Sequence, residues 1–138
     1  MEFDHFILAQ DSVYPQVLAE LTEGQKRSHW IWFIFPQLRG LGFSATSNKF
    51  ALESVEQAGR YLRQEILGPR LRECTQLVLA TNDRTIQQIF GPDDVKFRSS
   101  MTLFSLCLPP VDLFEEALVR FFGGEKDART LELLKPKK

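Results

Sequence analysis

The chain has 138 residues, enough for one self-sufficient hydrophobic core and too few to make two domains the default. With 43% hydrophobic and 25% charged residues, neither a disordered chain nor a fibrous repeat fits. A net charge of −1, with acids and bases interspersed, leaves no basic field of the kind that captures nucleic-acid phosphates.

In chain order, Met1-Glu2-Phe3-Asp4 lacks the basic start and apolar stretch of a secretory leader. No apolar run reaches the length of a membrane span, so no membrane partner is expected and the compartment is read as cytoplasmic. Tyr14, Val17, Leu18 and Leu21 have the spacing of an amphipathic helix that begins near Pro15 and stops at Gly24. Trp30 to Phe35 is uniformly apolar and short, and is read as a short buried helix. From Pro36 to Lys49 the chain is non-periodic and rich in Gly, Ser, Thr and Asn, which predicts a long loop; loops of that length are often functional. Ser54 and Gln57 have capping-box spacing ahead of Val55, Ala58, Leu62 and Ile66. Leu67, Leu71, Cys74 and Val78 follow, then Ile86, Ile89 and Phe90 before Gly91-Pro92. Phe97, Met101, Phe104 and Leu108 form the next stripe, and Val111, Phe114, Leu118, Phe121 and Phe122 run up to Gly123-Gly124. Lys135, Lys137 and Lys138 are read as a solubilising end. Together these elements predict an all-α fold, a compact single-domain bundle of about six to eight short amphipathic helices over residues 1–138. Twelve phenylalanines against two tyrosines predict a core packed ring on ring.

Cys74 and Cys107 are too few and too far apart for a metal knuckle or a redox pair, and are expected to sit reduced in the core. Neither metal nor cofactor is expected. His29 stands beside Trp30 and Trp32 and near Lys26 and Arg27, where burial would bring its titration close to neutral pH, although a lone histidine among aromatics is more often a hydrogen-bonded structural residue. The two tryptophans diverge by roughly 200° on a helix, so only one can face the core squarely; the other is free to face a pocket, where an indole is a good wall for a planar ring, and the alternative is that both pack in the core or against a partner. Farther along, Lys96, Ser99 and Ser100 share one helix face, while Arg98, Thr102 and Ser105 share another. That inventory suits an anion, with Arg98 gripping bidentately, although the bases also have Asp93 and Asp94 within reach as ion-pair partners. Gly40, Gly42 and Ser44 have neither P-loop nor dinucleotide spacing. The candidate ligand-binding residues are therefore His29, Trp30, Trp32, Gln37, Ser44, Lys96, Arg98, Ser99, Ser100 and Thr102. For catalysis the candidates are His29 and Glu56, the latter also explained by its place at a helix start.

Two strings, Lys26-Arg27-Ser28-His29-Trp30-Ile31-Trp32-Phe33-Ile34-Phe35-Pro36-Gln37 with Gly40-Leu41-Gly42-Phe43-Ser44, and Lys96-Phe97-Arg98-Ser99-Ser100-Met101-Thr102-Leu103-Phe104, resemble the DUF1810 family. Phe6-Ile7-Leu8-Ala9-Gln10, Leu67-Gly68-Pro69-Arg70-Leu71 and Ile89-Phe90-Gly91 extend the likeness over nearly the whole chain. The resemblance implies an all-helical domain from a mostly bacterial, uncharacterised family, and no activity. Members sometimes carry the label calpastatin, but those inhibitors are long, disordered and repetitive, whereas this chain is short and aromatic. The order Phe43-Ser44, Glu56 with Ala58, then Lys96-Phe97 is also loosely similar to YbiA-type proteins, which act on ADP-ribose-like compounds.

Three readings follow. The first is a small-molecule-binding domain with an anionic or nucleotide-like ligand between the His29–Ser44 segment and the Lys96–Thr102 helix, with hydrolysis of an ADP-ribose-type substrate as the reaction class if it is an enzyme. The second is a protein-interaction or regulatory module whose Trp30, Trp32 and Phe43 form an exposed apolar patch. In the third, His29, Lys96 and Arg98 form an internal polar network that ties helices together.

Overall fold

The computed structural model describes residues 1–136, so Lys137 and Lys138 of the basic C-terminal run lie outside the described residues. The helices are α1 (Asp4–Asp11), α2 (Tyr14–Glu23), α3 (Ile31–Ile34), α4 (Ala45–Lys49), α5 (Val55–Arg63), α6 (Leu67–Leu79), α7 (Ile86–Phe90), α8 (Asp94–Ser105), α9 (Asp112–Phe122) and α10 (Ala128–Leu134), with a 3₁₀ turn at Gly91–Asp93. Seven of them are seven residues or longer, within the range expected from periodicity; α3, α4 and α7 add single turns. No β-strand forms among the described residues, where Leu38 and Leu52 make one isolated parallel bridge. No described helix is long and apolar enough to cross a membrane.

Local chemistry sets the boundaries. Gly24 ends α2 in the left-handed region at φ 78°. Thr85 and Gln88 form a reciprocal capping box on α7, with N–H to side-chain distances of 3.1 and 2.8 Å. At α5, Ser54 accepts from the Gln57 N–H, but the Gln57 side chain reaches the N–H of Glu53 instead of that of Ser54, so only half of the expected box forms. The Pro36–Lys49 stretch is not all loop: the Ser44 hydroxyl accepts from the Ser47 N–H at 3.0 Å and nucleates α4.

Helix α8 runs through the middle, packed by α5, α7, α9 and α10, and every residue from Ser99 to Phe104 is buried. Two aromatic clusters flank it. One joins Trp30, Phe35, Phe90 and Phe97, with Phe90 stacked on Phe97 at 4.7 Å. The other joins Phe3, Phe6, Phe50, Tyr61, Phe104 and Phe114. Both cysteines are free and buried, and burial pushes the Cys74 thiol up to about 12 and that of Cys107 to about 11.

Candidate functional site

The site is built on Glu20, an acid lying on the apolar face of α2 between Val17 and Leu21 and only 3% exposed. A buried carboxylate requires donors. Glu20 has five: the N–H groups of Arg27 and Ser28 at 2.7 and 3.0 Å, the Ser28 hydroxyl, the Trp30 indole N–H at 3.0 Å and the Gln16 amide at 3.0 Å. These bonds outweigh burial, which alone would raise its pKa, and hold the carboxyl down at about 2. The Lys26–Trp30 segment is thereby wrapped around one anion.

Lys26, at the start of that segment, has a side chain only 7% exposed whose ammonium sits 2.8 Å from Asp93, the last residue of the 3₁₀ turn. Lys96, on the first turns of α8, approaches the other oxygen of Asp93 at 2.9 Å. Burial would raise the Asp93 pKa, but hydrogen bonds from the two ammoniums outweigh it and keep the carboxylate below its ordinary range. Each ammonium also lies over an indole, Lys26 over Trp30 and Lys96 over Trp32, both 5.1 Å from the ring centroid. Trp30 is a core residue at 1% exposure, whereas Trp32 is half-buried and opens onto a cavity of about 260 Å³. Lys26, His29, Trp30, Trp32, Ser44, Thr46, Asp93 and Lys96 line that cavity, and a broader depression of about 610 Å³ shares Lys26, His29, Asp93 and Lys96 with it. The floor is aromatic and the rim polar, with two ammoniums set against one carboxylate.

The fold thus brings together His29, Trp30, Trp32, Ser44 and Lys96, and leaves the six other candidates elsewhere. Arg98 points to the α9–α10 connection, donating to the Glu125 carbonyl at 2.9 Å, pairing with its carboxylate at 3.0 Å and lying over Phe122. Ser99 and Thr102 are buried and bond back to the carbonyls of Val95 and Arg98, and Thr102 also accepts from the Asp127 N–H. Ser100 and Gln37 are buried away from the cavity. Glu56 lines a separate depression with Arg63 and Leu108. His29 is exposed, so the burial expected for it does not occur.

Asp93, expected only as an ion-pair partner, and Lys26, expected only as a neighbour of His29, both line the cavity, and Glu20 is not among the candidates named from sequence. The signal for Glu20 was available, since an acid three residues after Val17 and one before Leu21 lies on the core-facing stripe. Among the described residues, no three His, Cys, Asp or Glu side chains converge to hold a metal ion.

Residues 1–134 match the model of a family described as a protein of unknown function, DUF1810. The chain is also similar to a crystal structure titled conserved hypothetical protein Rv1873 from Mycobacterium tuberculosis, at 46% identity and a TM-score of 0.95, over 99% of this chain and 98% of that one. No curated protein matches the chain.

Proposed function

The chain belongs to the DUF1810 family, whose members lend it no activity, and we propose from the cleft alone that it binds a small anionic, nucleotide-like ligand. In this reading the planar part of the ligand lies against Trp32 and its charge meets Lys96. The observation that supports it is the half-buried Trp32 ring beneath the Lys96 ammonium, at the wall of a concave site that also holds Lys26, His29 and Asp93. Stacking on an indole is worth about 1–3 kcal/mol per base, and an ammonium beside the ring supplies the charge complement. Hydrolysis of an ADP-ribose-type substrate here would draw on His29 and Asp93, because Glu56 is not in the cleft. Asp93, held ionised by two lysines, suits charge stabilisation better than proton donation.

The interaction-module reading needs a flat aromatic patch. Trp30 is in the core and Trp32 is recessed, which leaves Phe43 as the one exposed member of that trio.

The test is a thermal-shift screen with AMP, ADP, ADP-ribose, NAD and inorganic phosphate. Ligand at about a hundred times Kd adds roughly 2.7 kcal/mol to the folded state. A shift that is lost in Lys96→Ala and Trp32→Ala but kept in Arg98→Ala is the expected outcome; no shift with any compound overturns the reading. Chromatography of ADP-ribose after incubation with the protein reads out cleavage directly.

A further inference from the structure

Phe43 is 87% exposed, an unusual position for a phenylalanine in a chain that buries most of its rings. The loop carrying it is fixed on both sides of that ring. Gly42 packs so closely on the cleft that a Cβ there would lie 2.7 Å from the outer edge of the Trp32 indole and 2.7 Å from Ser47. Ser44, on the other side, both caps α4 and lines the cavity. Gly40, at φ 105°, uses a backbone region that favours glycine and gives the loop its turn. The chain therefore passes along the Trp32 edge of the cleft, and the Phe43 ring at its middle is exposed to solvent and does not line the cavity of the free protein.

We propose that Phe43 is a ligand-contacting residue, the second aromatic wall of the cleft, which folds over a planar ring stacked on Trp32 and selects ligands that carry such a ring over anions that do not. The inference rests on the ligand-binding reading above and adds a specificity to it. Lys96 supplies the charge common to any anion, whereas Phe43 contributes only when an aromatic face is present to cover it. Its burial in the complex is the contact that the free protein lacks.

The experiment measures binding of AMP and of inorganic pyrophosphate to the wild type, Phe43→Ala and Phe43→Trp by isothermal titration. The expected result is that Phe43→Ala weakens AMP about tenfold and leaves pyrophosphate unchanged, while Phe43→Trp retains AMP binding and its added indole emission is quenched by AMP alone. Equal affinities of wild type and Phe43→Ala for AMP overturn the role of Phe43 and leave the cleft standing. An equal loss for both probes overturns the selectivity. Failure of the wild type to bind AMP, ADP, ADP-ribose, NAD, phosphate or pyrophosphate overturns the cleft reading, and this inference with it. As Phe43 is exposed in the free protein, both variants retain the wild-type melting temperature without ligand.

Discussion

At the scale of single residues, Glu20 carries more of the site than any group that touches the cavity. Its carboxyl titrates near 2 in the folded protein against an ordinary value of 4.5. A depressed acid stabilises the fold fully above the ordinary value, and that contribution is lost as pH falls from 4.5 toward 2. The difference corresponds to about 3 kcal/mol. Glu20→Gln therefore loses about that much at pH 7 in urea denaturation, and its stability falls less than the wild type's between pH 5 and pH 2. Parallel pH profiles in the two proteins would remove Glu20 from this role. Trp32 and Lys96 were legible in the sequence because their types announce ring stacking and charge. Arg98, Ser99 and Thr102 were misleading for a physical reason: a helix interior offers Ser and Thr the carbonyl four residues back, and a guanidinium takes the nearest free carbonyl and carboxylate.

At the scale of elements, the joint between α5 and α6 shows how a turn can be specified by one missing atom. The Gln64 side chain accepts from the N–H groups of Ile66 and Leu67, both at 2.7 Å, capping α6 from four residues or fewer away. Gly68 follows, and a Cβ there would lie 2.1 Å from the Leu62 carbonyl oxygen and 2.9 Å from its carbon. Backbone atoms cannot swing aside as a side-chain tip can. Gly68→Ala should therefore cost at least about 3 kcal/mol by thermal or urea unfolding. A cost below about 1 kcal/mol would show that the joint relaxes easily. The long helices α2, α5, α6, α8 and α9 were readable because the 3.6-residue stripe repeats over several turns. The single turns α3, α4 and α7 were harder, since one turn of helix carries too few residues to show a period.

At the scale of the whole molecule, the ring-on-ring core expected from the phenylalanine count is present, divided into one cluster under the cleft and one beneath α1. What no local pattern could show is where distant segments meet, and Gln10 is the clearest case. Buried at 1%, its amide donates to the Phe33 carbonyl at 2.7 Å and to the Tyr61 hydroxyl at 3.0 Å, and accepts from Arg70 at 3.3 Å. Those partners lie 23, 51 and 60 residues away along the chain, so the closure entropy must be spent before any of the three bonds forms. In kinetic terms this long closure predicts that α1 docks after the barrier. Gln10→Ala should accelerate unfolding and leave the refolding arm of a chevron plot almost unmoved, a φ-value close to zero. A slowed refolding arm with unchanged unfolding would instead place the N-terminal helix in the folding nucleus. If α1 does dock late, the first region to open on the way to denaturation is the Gln10 junction, on which α1, Phe33, Tyr61 and Arg70 converge.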